Sequence, residues 1–170
     1  MRKTSSPEWN KDNHESSTAG FHPGFAPAVL CHSDTANKTG LDNRCPPEHW
    51  DNLRRLSQLL GQVCAAVGIP ASALKINSGF RSPLLNARVG GVPGSQHCLG
   101  LAADVVCPEW GSPALLAEAI ASSGIQFDQL ILEFGRWVHV SAAPADRPAR
   151  REVLTIYTAD EGYLDGLVIR

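Results

Sequence analysis

The sequence predicts an α+β fold, in which a small and mostly antiparallel sheet packs against helices. Two observations predict it. Segments with the helical spacing of apolar residues begin early in the chain, whereas short segments typical of strands cluster towards its end. The 170 residues, of which 43% are hydrophobic and 19% are charged, suit one domain with a core of its own.

Three segments are predicted to be helical: 47–67, 83–89 and 113–123. In the first, apolar residues recur at three- and four-residue steps and form one stripe, and Gly68 suits its end. The other two follow Ser82 and Ser112, which are favourable N-caps, and each has proline at its first position. We expect these helices to pack against the sheet.

Six short segments are predicted to be strands: 74–77, 101–106, 130–134, 137–142, 153–157 and 167–169. Residues 21–45 contain Gly, Pro, Asn and Asp throughout, which predicts an ordered but irregular wrap with little regular structure. Residues 1–20 are polar and aperiodic, which predicts a disordered arm. We therefore expect a single domain over 21–170, acting as a monomer.

The charge of the chain limits its partners. A formal net charge of −2 provides no basic surface for nucleic acid or for an anionic membrane. No apolar run approaches the length of a membrane span, and the first residues lack the apolar stretch of a secretory signal. We expect a product that is cytoplasmic as synthesised, with no nucleic-acid partner and no membrane insertion.

His97, Asp104 and His139 are the strongest candidates for chemistry. Two imidazoles and one carboxylate can hold a zinc ion by three bonds and leave a fourth position open for water, as in catalytic zinc sites. The separation of His97 from Asp104 is wrong for one helix turn, but it suits a ligand on a loop followed by a ligand on the next strand. The pattern predicts metal-assisted hydrolysis, in which a nearby carboxylate takes a proton from water.

Glu133 is the candidate base, and its position depends on a hairpin. Trp137, His139 and Ser141 share one face of a predicted strand. An odd-numbered loop before that strand would place Glu133 on the same face as His139, whereas an even-numbered loop would place it on the opposite face. Arg81 could stabilise an oxyanion or hold a substrate carboxylate with its two-pronged donors. Taken singly, each of these residues is more often structural.

The five cysteines are Cys31, Cys45, Cys64, Cys98 and Cys107. Their odd number and the absence of a CxxC pair predict free thiols. Cys98 and Cys107 flank the metal segment, which leaves two weaker alternatives: thiolate ligands to the metal, or a thiol-based redox protein. Thiolate-rich metal sites are usually closed and structural, and neither thiol lies in a basic setting.

Three segments together resemble the M15 family of zinc peptidases: SGFRSPLLNARVGG (78–91), SQHCLGLAADVV (95–106) and FDQLILEFGRWVHVS (127–141). The segment HSDTANKTGLDN (32–43) is similar to the start of the phage and bacterial branch of that family. This branch includes D-alanyl-D-alanine carboxypeptidases and L-alanyl-D-glutamate endolysins. The resemblance covers roughly residues 24–157, and the combined motif is far more specific than its parts.

The resemblance implies the α+β fold that the hedgehog signalling domain shares, with zinc seated on a small antiparallel sheet. It implies one Zn²⁺ ion held by His97, Asp104 and His139. It also implies that Arg81 polarises the scissile carbonyl group.

The resemblance further implies that Ser95 and Gln96, beside the first ligand, shape the substrate site. Several relatives have an acidic residue three positions before the last histidine, where this chain has Arg136. The role of base is therefore assigned to Glu133, with Asp128 as a second candidate.

The expected function is zinc-dependent hydrolysis of a peptide bond in peptidoglycan stem peptides, as a D-Ala-D-Ala carboxypeptidase or an L-Ala-D-Glu endopeptidase. A product without a signal fits a phage or prophage lysis enzyme that reaches the cell wall after release through a separate pore protein. The alternative is a non-catalytic, zinc-holding binding or structural module on the same fold. The presence of both Glu133 and Arg81 favours the enzyme.

Overall fold

A computed structural model of the protein describes residues 18–170. Its strands are β1 (Lys75–Ser78), β2 (Ala102–Val106), β3 (Gln129–Glu133), β4 (Trp137–Ser141), β5 (Glu152–Ile156) and β6 (Leu164–Asp165). They form one six-stranded sheet in the order β1-β2-β4-β3-β5-β6. Every neighbouring pair is antiparallel except β3 and β5, which run parallel. The predicted α+β fold with a mostly antiparallel sheet is confirmed.

Within the described residues, the α-helices are α1 (Pro27–Leu30), α2 (Asp34–Thr39), α3 (Trp50–Val67), α4 (Pro83–Arg88) and α5 (Pro113–Ser122). Short 3₁₀ helices lie at Pro47–His49, Ala71–Ala73 and Gln96–Leu99. The predicted disordered arm falls almost entirely on residues 1–17, which lie outside the described residues, and residues 18–20 form a turn.

The three predicted helices are confirmed as α3, α4 and α5. The apolar stripe of α3 is buried from Leu53 to Cys64 and half-buried at Trp50 and Val67. The helix ends where Gly68 adopts a φ of 71°, a left-handed conformation that favours glycine. The helices α4 and α5 begin as their caps predict. The Ser82 and Ser112 hydroxyl groups accept hydrogen bonds from backbone N–H groups of the first turn, at 3.4 and 3.3 Å.

Two expectations need correction. Residues 167–169 are not a strand: the last strand is β6, and Gly166 turns the chain out of the sheet with a φ of 76°. The backbone N–H of Val168 then bonds to the Thr155 hydroxyl at 3.0 Å instead of joining a strand ladder. The wrap over 21–45 is ordered, but it has more regular structure than expected. It contains α1, which begins at Pro27, and α2, whose start is capped by Ser33.

The two faces of the sheet have different environments. On β2 and β4, Ala103, Val105, Val138 and Val140 point into the hydrophobic core, where α5 packs against the sheet. Because side chains alternate along a strand, Asp104 and His139 point to the other face. The helix α5 thus packs on the core side of the sheet, and Asp104 and His139 lie on the opposite side. Among residues 18–170, no helix is long and apolar enough to cross a membrane.

Candidate metal centre

His97, Asp104 and His139 converge on the face of the sheet opposite the core. Asp104 on β2 and His139 on β4 are directly opposite each other in the antiparallel pair, which brings their side chains together. His97 comes from the 3₁₀ helix before β2, and Gly100, with a φ of 71°, turns the chain from that helix into the strand. All three residues are buried, with exposed fractions of 2%, 5% and 7%.

Three side-chain atoms of this group form a nearly equilateral triangle. His97 Nε2 and His139 Nδ1 each lie 3.1 Å from Asp104 Oδ1, and the two nitrogens are 3.2 Å apart. Zinc bonds of roughly 2.0–2.1 Å in tetrahedral geometry place ligand atoms about 3.3 Å apart. The donor set therefore fits a tetrahedral cation with one coordination position left open. Among the described residues this is the one group of three or more candidate ligands.

A hydrogen bond to the backbone fixes His97 in the form that can bind a metal. Its Nδ1 lies 2.7 Å from the backbone carbonyl oxygen of Gly79, which accepts only if Nδ1 carries the proton. The lone pair is then on Nε2, the atom in the triangle. Residue 79 must be glycine here, because an added Cβ would lie 2.2 Å from the carbonyl oxygen of Leu30.

Arg81 orients the carboxylate of Asp104. Its Nη2 donates to Asp104 Oδ2, so that Oδ1 faces the two imidazoles, and its Nε donates to Ser78 Oγ at 2.7 Å. Burial raises the pKa of Asp104, but the neighbouring His97 and His139 outweigh it and hold that pKa well below its usual range. Asp104 is therefore ionised and available as a ligand at neutral pH.

Asn43 holds the backbone on both sides of Arg81, a role that the sequence analysis missed. Its amide Nδ2 donates to the carbonyl oxygen of Phe80 at 3.0 Å, and its Oδ1 accepts from the backbone N–H of Ser82 at 2.7 Å. The same Nδ2 also donates to the carbonyl oxygen of Cys31 at 2.9 Å. Asn43 lies in the motif HSDTANKTGLDN, but its pairing partners are too distant in sequence to be predicted.

Glu133 lies on the same face as the metal group. The loop between β3 and β4 has three residues, Phe134, Gly135 and Arg136, so the odd-numbered alternative is the one that occurs. Glu133 pairs with Trp137, whose indole Nε1 donates to Glu133 Oε2 at 3.0 Å. Burial, followed by the negative charge of Asp104, raises the pKa of Glu133 above its usual value.

Ser95 and Gln96 shape the loop that carries His97. The Ser95 hydroxyl caps the 3₁₀ helix by accepting from the backbone N–H of His97 at 3.4 Å. The Gln96 amide Nε2 donates to Asp128 Oδ2 at 2.8 Å, while its buried Oε1 has no hydrogen-bond partner among the described protein atoms. Both residues thus contact or adjoin the first ligand.

Asp128, the second candidate for the base, occupies a different environment. Its fully buried carboxylate accepts hydrogen bonds from the guanidinium groups of Arg147 and Arg150 as well as from Gln96. Burial raises its pKa, but the hydrogen bonds from Arg150 and Arg147 outweigh burial and hold it well below its usual range. With both oxygens committed to these donors, Asp128 is a poor proton acceptor.

The flanking cysteines are not part of the metal group. Cys107 is buried in the hydrophobic core, and Cys98 is half-buried on the 3₁₀ helix, with a pKa raised by burial. All five cysteines are free thiols in the structure, as predicted.

A cavity of about 500 Å³ adjoins Arg81. It is lined by His32, Ser33, Asp34, Thr35, Ile76, Asn77, Ser78, Arg81, Leu85 and Val89. The lining joins the end of β1, the start of α2 and the side of α4, so the wrap contributes directly to the surroundings of Arg81.

Two imidazoles and a carboxylate with an open position, beside an arginine and a second carboxylate, are groups that metal-dependent hydrolases use at their centres. The family model for Peptidase M15 matches residues 23–141, and the chain therefore belongs to the peptidase M15 family. Peptidases of this family are metal-dependent, so the protein is a metallopeptidase in which His97, Asp104 and His139 could bind the metal. No curated protein matches the chain.

Proposed function

We propose that this protein is a zinc peptidase that cleaves a peptide bond in the stem peptides of peptidoglycan. One Zn²⁺ ion would be held by His97, Asp104 and His139. The observation that carries the proposal is the triangle of donor atoms, 3.1–3.2 Å on each side, with Glu133 on the same sheet face.

A bound zinc ion would polarise the scissile carbonyl group and lower the pKa of a water molecule. Glu133 accepts the proton of the attacking water and then delivers it to the leaving amine. Its raised pKa suits both steps, since a carboxylate with too low a pKa cannot hold the proton between them. Trp137 fixes the orientation of the carboxylate by its hydrogen bond to Oε2.

Arg81 stabilises the oxyanion that forms at the scissile carbonyl. Its Nε and Nη2 groups are committed to Ser78 and Asp104, while among residues 18–170 no acceptor is bonded to its Nη1. A donor fixed in this way needs little reorganisation when negative charge develops. In this scheme Ser95 and Gln96 complete the substrate site beside His97.

Two observations support a peptidoglycan substrate. The cavity beside Arg81 has polar as well as apolar lining residues, and the guanidinium group of Arg81 could hold a carboxylate of a short peptide there. Stem peptides have such carboxylates, and the motifs SGFRS, SQH and WVHVS resemble those of wall-cleaving enzymes. We assign the protein to cell-wall lysis by a phage or prophage, as a monomer that acts on the wall after release from the cytoplasm.

Mass spectrometry of purified peptidoglycan fragments tests this function. The zinc-loaded protein should release either a terminal D-alanine or a product cut between L-alanine and D-glutamate, and a chelated sample should release neither. Glu133→Gln serves as the matched control, because it keeps the ligand set while removing the base. No cleavage by a zinc-loaded, folded protein would favour a non-catalytic zinc-holding module instead.

A further inference from the structure

The outer edge of β1 is open. This strand lies at one end of the sheet and pairs only with β2. Among residues 18–170, no backbone hydrogen bond joins residues 75–78 to any segment outside the strand ladder. Successive N–H and C=O groups of a strand point alternately to its two sides, so the groups on the outer side of β1 have no backbone partner.

Two cavities lie along this open edge. One is the cavity of about 500 Å³ beside Arg81, and the other measures about 480 Å³. His32 and Ile76 line both of them, so the two cavities adjoin at these residues. Together they form a groove that follows β1, which we call the edge groove.

The edge groove changes in polarity along its length. The end beside Arg81 includes the polar residues His32, Ser33, Asp34, Thr35, Asn77 and Ser78. The lining of the other end is mainly apolar and includes Phe25, Ala28, Val29, Ala71 and Leu74. This pattern fits a peptide that presents polar groups near Arg81 and an alkyl side chain further along the groove.

The polar end of the edge groove adjoins the metal centre. Ser78, the last residue of β1, is paired with the candidate ligand Asp104 across the sheet. Its hydroxyl group accepts a hydrogen bond from Arg81 Nε at 2.7 Å, and Arg81 Nη2 donates to Asp104 Oδ2. A bulge at Asn77 shifts the strand register just before this point, as is common beside active sites. The groove therefore ends at the side chain that contacts a candidate metal ligand.

We propose that the edge groove binds the part of the substrate peptide that is remote from the scissile bond, as an extended segment hydrogen-bonded to the outer edge of β1. This inference rests on the proposed peptidase function. The backbone of an extended peptide supplies the donors and acceptors that the open edge lacks, and the cavities beside the edge accept its side chains. Whichever of the two candidate bonds is cut, most of a stem peptide lies to one side of it.

Binding at a distance from the reacting bond serves the reaction. Contacts with the remote part of a substrate hold the scissile bond in place and so contribute to the rate, not only to affinity. The edge groove supplies such contacts through the backbone of β1 and through its apolar end.

Hydrogen exchange locates the bound peptide. The probe is the synthetic stem pentapeptide L-Ala-D-Glu-L-Lys-D-Ala-D-Ala, added to the zinc-loaded Glu133→Gln protein so that it is not turned over. Exchange followed by mass spectrometry should slow in the fragment that contains residues 75–78. It should stay unchanged at β6, the strand at the opposite end of the sheet. No protection at residues 75–78, or protection at β6 alone, would overturn the proposal.

Calorimetric titration with the same peptide tests the apolar end of the groove. Ala28 is exposed on α1, and Ala28→Trp places an indole group in that end. We expect the Kd to rise about tenfold or more, because the peptide loses contacts there. The matched control is Ala65→Trp, on the exposed side of α3 and outside both linings, which should leave the Kd unchanged. Equal Kd values in the two variants would contradict the proposal.

These binding measurements do not depend on cleavage. A wild type that binds the peptide along β1 but releases no product would refute the peptidase function and leave the groove standing. Cleavage without protection of residues 75–78 would do the reverse. A dimer of the peptide-free protein that Ala28→Trp dissociates, measured by light scattering, would assign the open edge to a second copy of the chain and overturn the proposal.

Discussion

Asp104 and Asp128 are both buried carboxylates, yet their partners give them different chemistry. Asp104 faces two imidazole nitrogens through one oxygen and Arg81 through the other. Asp128 has both oxygens bonded to the guanidinium groups of Arg147 and Arg150. In both cases positive or polarised neighbours outweigh the effect of burial and lower the pKa.

The two carboxylates differ in whether their partners leave lone pairs available to bind a cation or a proton. Neutral histidines have lone pairs that, together with Asp104 Oδ1, can surround a cation. Guanidinium groups offer only donors, so Asp128 is fully neutralised and has no oxygen left for a metal or for a substrate proton. Burial and a low pKa therefore do not identify a functional carboxylate: the chemical type of its partners does.

The largest expected contrast is in metal binding. Asp104→Asn replaces an ionised ligand by a neutral amide, and we expect loss of bound zinc together with a fall in peptidase rate of roughly 10³-fold or more. Asp128→Asn, the matched variant, should retain one zinc per chain. Metal analysis of both purified proteins measures this, and equal zinc content in the two variants would remove the distinction between the carboxylates.

A second test concerns which carboxylate accepts the proton. Glu133→Gln keeps the size of the side chain and a partner for Trp137 but removes the basic oxygen, so kcat should fall by about 10²-fold or more while zinc remains bound. Asp128→Asn, assayed well below its unfolding temperature, should change kcat far less. If kcat fell about 10²-fold in Asp128→Asn and changed little in Glu133→Gln, Asp128 would be the base.

The third effect is on stability. In Asp128→Asn the amide cannot satisfy two guanidinium groups, and we expect the free energy of unfolding to fall by about 2–3 kcal/mol in urea denaturation. This is less than the ~3–5 kcal/mol typical of a fully buried pair, because the arginine side chains are 38% and 44% exposed. A variant as stable as the wild type would show that the cluster contributes little.

The smallest expected effect is the pH dependence of the stability difference between the wild type and Asp128→Asn. The folded-state pKa of Asp128 is lower than the unfolded value of about 3.9, so its ion pairs stabilise the fold above that pH. Their contribution is lost as the pH falls through the unfolded pKa towards the folded one. The stability difference between wild type and Asp128→Asn should be constant from about pH 5 to 7 and shrink below about pH 4. A difference independent of pH would argue against an ionised Asp128.

Local patterns in the sequence predicted most of the architecture. The stripe of α3 and the serine caps of α4 and α5 depend on neighbouring residues alone, and all three helices are confirmed. The prediction of a strand over 167–169 was wrong. An apolar run resembles a strand, but Gly166 and the Thr155 hydroxyl group determine the path of the backbone there. The sequence alone did not indicate where that hydroxyl lies.

The candidate site was predictable as a set of ligands but not as a network. His97, Asp104 and His139 lie together as expected. The loop length that places Glu133 on their face stayed open, since it depends on Phe134 and Gly135 adopting positive φ angles of 54° and 65°. The sequence could not exclude Asp128 as the base, because its guanidinium partners lie in an aperiodic segment about twenty residues further along, where no local pattern reveals them.

The proposed zinc site is tested by X-ray diffraction from zinc-loaded crystals at wavelengths on either side of the zinc absorption edge. We expect one anomalous peak within bonding distance of His97 Nε2, Asp104 Oδ1 and His139 Nδ1. A peak at the cysteines, or no peak at these three atoms in crystals grown with excess zinc, would contradict it.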